Sequence, residues 1–329
     1  MRLPHASGVA SMVIAVASIW LYLLPGTASA QKYPSQPIHL VVPFSAGGAV
    51  DTVGRTLGER LSTQMGVAVV VDNKPGASAD LGAEYVARAA PDGYTLLVGA
   101  NGLATNMTLF KSLSFNTLKD FAPVALLGNA PLVLVTASNS PYNSLADLLA
   151  AGRADKAALT YGSAGNGSSG HLAGALLESV GKFQALHVPY KGGAPALVDL
   201  IAGRISFMLL NPLEVAAHVQ SGRLRALAVS SPQRIAMMPT VPTMAEAGLP
   251  GFEASVWWAL VAPAATPKDV IAKLNAEVQK ALADPVAREH LMALGAIVTP
   301  STSEQLAAFL QSEVARWSKV IKDAHIEAE

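Results

Sequence analysis

Three short glycine-containing stretches hold the residues best placed for chemistry: "FSAGGAVD" (Phe44–Asp51), "GSAGNGSSGHL" (Gly162–Leu172) and "YKGGAPAL" (Tyr190–Leu197). Each follows an apolar run of strand type and precedes a run with helical spacing. The first turn of a helix leaves backbone N–H groups without partners and carries a partial positive charge. Small residues let an anion come close to those groups, so each stretch is a potential anion seat. Ser45, Ser163, Ser168 and Ser169 add hydroxyl donors. Glycines also make tight turns in any packed α/β protein. Three loops of the same design in one chain weigh towards the anion reading.

Other chemistries fit less well. "GNGSSG" does contain G-x-G-x-x-G at Gly165, Gly167 and Gly170, but it sits deep in the chain. No acidic residue ends the following run "FQALHVPY" to hold a ribose. No P-loop is present, so a phosphate cofactor is not expected. Ser168, Ser169 and His171 crowd one turn, yet G-x-S-x-G is missing and no acid is assigned to orient the histidine. The seven histidines are scattered without H-E-x-x-H or close carboxylates, so no metal is expected. His187, in an apolar run, reads as a buried, hydrogen-bonded residue. Asp51 stands one or two residues into its helix, which favours capping over ligand contact. Trp257 and Trp258 are adjacent in a strand: one should face the core and the other the hinge or the cleft wall.

The elements that must carry these loops alternate. "PIHLVVPF", "VAVVVDN" and "YTLLVGA" read as strands, with helices after the glycine turn at Val50 and through Leu81–Ala89. Pro91-Asp92-Gly93 is a structural turn. This is a βαβ pattern, and it predicts a largely parallel sheet covered by helices. "VALLGNAPLVLVT" is a long extended segment broken at Gly128. A helix opened by Ser144 with Asp147 as a capping box follows, then a second strand–helix series. The chain ends in helices, the last from about Ser303 to Lys322. Two series with extended segments near Gly128 and Ser255 predict two lobes: residues 31–128 with 253–329, and residues 129–252.

The first thirty residues stand apart. Arg2 is their only full charge, "VASMVIAVASIWLYLL" follows, and "TASA" offers small residues at Ala28 and Ala30. That is the pattern of a cleaved secretory leader, with Gln31 as the mature N-terminus. The alternative is an uncleaved anchor, but the core is shorter than the roughly 20 residues that span a bilayer. The mature chain of 299 residues (329 minus 30) carries 22 Lys+Arg against 23 Asp+Glu. Such balance gives no basic field for nucleic acid. With no cysteine in the chain, disulfides, thiol chemistry and a lipid anchor on cysteine are excluded.

Several long motifs, in order, resemble a known family. "YPSQPIHLVVPFSAGGAVDTVGR", "VDNKPGASADLGAEYVARAAPDGYTLLVG", "DFAPVALLG", "GSAGNGSSGHLAGALLES", "HVPYKGGAPALVDLIAGRI" and "LRALAVSSPQR…MPTVPTMAEAGLPGFEASVWWALVAP" are similar to the substrate-binding proteins of tripartite tricarboxylate transporters, the TctC-like or Bug family. The resemblance runs from about Tyr33 to the C-terminus. It implies an α/β two-lobe periplasmic binding protein of type II, with a ligand cleft between the lobes. It also implies a soluble, monomeric receptor in the periplasm of a Gram-negative bacterium. Such a receptor closes on a small carboxylate (di-, tri- or aromatic acid) and passes it to a two-component inner-membrane permease, without cofactor, metal or catalysis. The implied ligand contacts are Phe44, Ser45, Ala46, Gly47, Gly48, Ala49 and Asp51 on the first loop. Ala100, Asn101 and Thr105 line the cleft from the same lobe. Opposite them come Ser163, Asn166, Gly167, Ser168, Ser169 and His171, then Lys191, Gly192 and Gly193, with Leu210 and Asn211. Family members often carry Asp where this chain has Leu210, which puts ligands with an ammonium group in doubt if that residue faces the cleft. A sensor for a membrane signalling partner would need the same cleft. A secreted hydrolase using Ser168 or Ser169 with His171 is the rival from another class.

Overall fold

Glycine turns and amphipathic helices divide the chain into ten strands and eleven α-helices among the described residues. The computed structural model describes residues 33–44, 46–154, 159–190, 193–293, 295–324 and 326. The leader expected over residues 1–30, and the site candidates Ser45, Lys191 and Gly192, lie outside them.

In chain order the first elements are β1 (Ile38–Val42), α1 (Ala49–Met65), β2 (Val69–Asn73), a 3-10 turn (Ala77–Ala79), α2 (Asp80–Ala87), β3 (Thr95–Gly99), α3 (Gly102–Leu109), α4 (Thr117–Asp120) and β4 (Phe121–Pro131). Then come β5 (Val133–Ala137), α5 (Leu145–Ala154), β6 (Thr160–Ser163), α6 (Ser169–Gly181), β7 (Leu186–Pro189), α7 (Gly193–Ile201), β8 (Phe207–Leu210), α8 (Pro212–Gln220) and β9 (Leu224–Val229). The chain closes with β10 (Ser255–Pro263), α9 (Lys268–Ala283), α10 (Pro285–Ala293) and α11 (Ser303–Asp323). The Ser144–Asp147 capping box forms reciprocally: Ser144 N–H donates to the Asp147 carboxylate at 3.0 Å and Asp147 N–H to Ser144 Oγ at 3.1 Å.

The strands make two five-stranded sheets, ordered β2-β1-β3-β10-β4 and β7-β6-β8-β5-β9. The βαβ units pair parallel, as β1 does with β2 and β3, and β6 with β7 and β8. The sheets are mixed rather than largely parallel, because β10 runs antiparallel to β3 and β4, and β5 antiparallel to β8 and β9. Both strands enter their sheet from the other one, so no βαβ crossover fixes their direction.

The chain changes sheet in two adjacent places. β4 ends at Pro131, which pairs with Ser255 at the start of β10, and only Leu132 separates β4 from β5. Gly128 does not break this strand. It lies inside β4 at φ +155°, where a Cβ would come 2.9 Å from the Ile297 carbonyl. Ser230, 1% exposed, ties the two passages together. Its hydroxyl accepts from Leu132 N–H at 2.7 Å and donates to the Ala254 carbonyl, and its own N–H donates to the Leu132 carbonyl at 2.9 Å. Separate apolar cores lie on the two sheets. One gathers Val41, Leu97, Trp257 and Trp317, and another Tyr161, Leu177, Phe207 and Leu209.

Candidate functional site

The first glycine loop is braced by charge. Asp51, 2% exposed, accepts from Gly47 N–H at 2.8 Å, Arg55 Nε at 2.9 Å and Asn73 Nδ2 at 2.9 Å. Burial works to raise its pKa, but the hydrogen bonds from Arg55, Gly47 and Asn73 outweigh it and hold the carboxyl below its usual value. Asp51 is therefore a cap, and it takes up the Gly47 N–H. The N–H groups of Ala49, Val50 and Asp51 precede the first intrahelical bond, from Thr52 N–H to the Gly48 carbonyl at 2.9 Å. Gly47 needs its φ of +85°. Gly48, at φ −80° and ψ 172°, has a conformation open to any residue. Backbone freedom therefore does not require a glycine at this position.

The second loop is braced by neutral rings. Ser168 caps α6 by accepting from His171 N–H at 3.4 Å, and Gly167 N–H donates to His171 Nδ1 at 3.1 Å. The His171 ring stacks on His187 with centroids 3.7 Å apart and planes 6° from parallel. His187 Nε2 meets Ser163 Oγ at 2.7 Å, and Tyr161 packs beside it with centroids 4.9 Å apart. Burial, helped by the neighbouring His187, lowers His171 to about 3, and burial lowers His187 to about 4. Both rings are neutral near pH 7. Ser169 and Gly170 N–H precede the first intrahelical bond, from Leu172 N–H to the Ser168 carbonyl at 3.0 Å. Gly170 is required by packing, since a Cβ there would lie 2.8 Å from the Leu209 carbonyl.

Both helix starts open on one cavity of about 550 Å³. Val50 lines it from α1, Ala100, Asn101 and Gly102 from the start of α3, and Ala164–Ser169 from the loop before α6. Asn101 also grips the start of β10: its Nδ2 donates to the Ser255 carbonyl at 2.9 Å and its Oδ1 accepts from Trp257 N–H at 3.1 Å. No described residue lining the cavity carries an ionisable side chain. A carboxylate there would be met by backbone N–H groups, amides and hydroxyls. A serine nucleophile with a base and an orienting acid is not assembled among the described residues. Ser163 is 1% exposed and donates to the Gly165 carbonyl at 3.0 Å.

The cavity thus brings together Phe44, Ala100, Asn101, Asn166, Gly167, Ser168 and Ser169 from the sequence-derived set. The other described candidates are not on its lining. Ala46, Gly47, Gly48 and Ala49 lead up to its rim beside Val50, and Asp51, Thr105, Ser163 and His171 are buried behind it. Gly193 begins α7, where a Cβ would lie 2.7 Å from Glu214 Oε2. Asn211 caps α8 through Leu213 N–H at 2.9 Å. Leu210, 6% exposed, packs with Val133, Val135 and Val215 in the core of its own sheet. It is not among the described residues that line the cavity. Trp257 and Trp258 are 0% and 1% exposed, and neither walls the cavity.

Sequence reasoning missed Ser78, Asn106, Leu109, Phe110 and Val256 on the lining. A helical signal was available for two of these: Asn106 and Leu109 follow Gly102 at i+4 and i+7 on one face of α3. Ser78 had no such signal. Ala77, Ser78 and Ala79 are three consecutive non-glycine residues at positive φ, of 46°, 53° and 80°. Asn106 Nδ2 holds the Ser78 carbonyl at 2.9 Å and the Asp80 carboxylate at 2.7 Å. Strain kept at a cavity wall by such contacts is a mark of functional sites.

The family model for the tripartite tricarboxylate transporter family receptor matches residues 53–326. Protein BugT of Bordetella pertussis is 36% identical over 325 residues, 98% of each chain. Among solved structures, Rpa4515 of R. palustris with adipate superposes with a TM-score of 0.79 at 34% identity, covering 90% of this chain and 99% of that one. MatC (Rpa3494) of Rhodopseudomonas palustris with bound malate gives 0.76 at 35% identity, covering 88% and 100%. Two mixed α/β sheets with a shared cavity and a match over most of the length agree: the chain belongs to the TctC and Bug family of tripartite tricarboxylate transporter receptors.

Proposed function

We propose that this chain is a periplasmic receptor that closes its two lobes, residues 31–128 with 253–329 and residues 129–252, on a small carboxylate. It releases the ligand unchanged to a two-component inner-membrane permease. One observation carries the reading: the unpaired N–H groups that begin α1 and α6, on different sheets, open on one cavity without a charged side chain among its described lining. Such a site favours an anion held by backbone dipoles, and the rest of the ligand is read by Ser78, Asn101, Asn106 and Phe110. The cavity volume, about 550 Å³, is within the range of small-molecule sites. Relatives that hold adipate and malate support the ligand class.

The test is a thermal-shift and calorimetric screen of mono-, di- and tricarboxylates against the purified chain, with product analysis. A true ligand at 100 times its Kd should stabilise the protein by about 2.7 kcal/mol. Binding confined to uncharged solutes, or turnover abolished by His171→Ala, would overturn the reading.

A further inference from the structure

A second cavity, of about 770 Å³, is lined by residues 253–255 at the start of β10. Ser255 lines it while Val256 lines the first cavity, and successive residues of a strand face opposite ways. One wall is residues 230–237, which follow β9 of the second sheet. The other is built from α10, residues 295–299 and α11, on the side of the first sheet.

The floor is a carboxylate with its partners in place. Glu313, 6% exposed, accepts the indole N–H of Trp257 and that of Trp317, each at 2.9 Å, and pairs with Arg316 Nη1 at 3.2 Å. Arg316 Nη2 also donates to the Glu253 carbonyl. The floor therefore does not call for a cation. On the rim, Arg234 pairs with Glu246 at 2.8 Å. Arg288 is exposed, and its guanidinium has no ion pair or hydrogen bond among the described residues. Counting Arg316, three arginines on the lining stand against Glu253 and Glu313. The lining also carries five large apolar side chains, Ile235, Met237, Met292, Ile297 and Phe309, among polar neighbours such as Ser231, Gln233 and Thr299. Met292 and Ile297 are 54% and 45% exposed, one helix turn and a short loop from the Arg288 guanidinium.

We propose that this cavity is a second binding site, for an amphipathic carboxylate with a medium-length alkyl chain. Its carboxylate sits on Arg288 and its chain lies over Met292, Ile297 and Phe309. Such a ligand pairs the free cation and removes the exposed apolar surface from water together, which neither a small diacid nor a neutral hydrocarbon does. The site is independent of the anion seats at α1 and α6, and since its walls belong to both sheets, an occupant bridges the two.

Isothermal titration of the purified chain with decanoate tests this. Saturable binding with one site is expected. It should weaken at least tenfold in an Arg288→Glu, Met292→Glu double variant whose fold is verified by circular dichroism. The same variant should bind the small carboxylates of the first cavity as the parent does, and Gly48→Val should bind decanoate unchanged. Arg288→Ala alone should weaken decanoate several-fold and spare decanol. No saturable binding up to about 1 mM would overturn the proposal, as would loss in Gly48→Val with retention in the double variant. Equal effects of Arg288→Ala on decanoate and decanol would remove the assignment of the carboxylate to Arg288.

Discussion

The two glycine loops hold equivalent helix starts by opposite means. At residues 44–51 a buried carboxylate gathers Gly47, Arg55 and Asn73, and its charge is its strength. At residues 162–171 two stacked imidazoles do the bracing, and they work because they are uncharged. His171 Nδ1 must be unprotonated to accept the Gly167 N–H. In both loops the bracing group uses up the loop N–H nearest to it and leaves the donors of the helix's first turn for a ligand. The difference is therefore not in what each loop offers an anion but in what disturbs it. Loss of a carboxylate should unsettle one half of the site, and acid the other.

The sharpest way to break the first half is Asp51→Ala. It removes the carboxylate that Gly47 N–H, Arg55 and Asn73 share, but Gly47 and Arg55 are exposed to water and Asn73 keeps its bond to the Phe44 carbonyl, so a loss of about 1–2 kcal/mol is expected. Urea unfolding at pH 7 measures it. A loss below about 1 kcal/mol would mean that backbone geometry alone holds the loop. The second half answers to pH. Burial lowers His171 to about 3 in the folded chain, against 6.5 for a solvated imidazole. Between those values the unfolded state binds more protons, so stability falls as pH drops from 6.5 towards 3. From pH 6.5 to 5 the His171 share is about 2 kcal/mol, and His187, less buried, adds to it in the same direction. Burial raises the carboxyls of Glu178 and Asp80, and these act with the opposite sign at lower pH. The isolating measurement is therefore the difference in slope between the parent and His171→Gln. An unchanged slope would remove His171 from the account.

The contrast between the loops was only half legible in the sequence. Their positions were, because glycine punctuation and helical spacing are local signals, and the Asp51 cap follows from its place in the first turn. The histidine stack was not. His171 and His187 lie on a helix and on an edge strand, and only the pairing of β6 with β7, Tyr161 opposite His187, brings them face to face. The expectation that Leu210 bears on the ligand rested on a side-chain direction that strand alternation alone could not supply. The core of its own sheet claims it. Glu214, four residues further on and beside Gly193, carries no local signal, because its neighbour is 21 residues away in sequence.

A smaller effect tests whether the donors really are the backbone. Gly48→Val keeps an allowed conformation yet adds a branched side chain at the residue next to the Ala49 N–H group. Affinity for the carboxylate should fall at least tenfold, about 1.4 kcal/mol, with little change in stability. Ser168→Ala removes only an N-cap hydroxyl whose bond to His171 N–H is long, 3.4 Å. It should cost stability about 0.5–1 kcal/mol and change affinity less than Gly48→Val does. The reverse ranking would move recognition from backbone to side chains.

The smallest expected effect is none at all. Since no described lining residue of the first cavity is ionisable, affinity for a fully ionised dicarboxylate should stay level between pH 6.5 and 9. The sign of any departure names its source. Protonation of the loop imidazoles would release Gly167 and loosen the second seat, so affinity would fall with falling pH. Desolvation raises the Glu214 carboxyl above its usual value, and a negative charge beside the start of α7 opposes an anion. If Glu214 reaches the ligand, affinity would instead rise as pH falls, and Glu214→Gln would abolish the slope while tightening binding at pH 8. Titrations of one diacid at four pH values, with and without Glu214→Gln, separate the three outcomes. A level profile in both proteins places the whole charge recognition on the backbone N–H groups of the two helix starts.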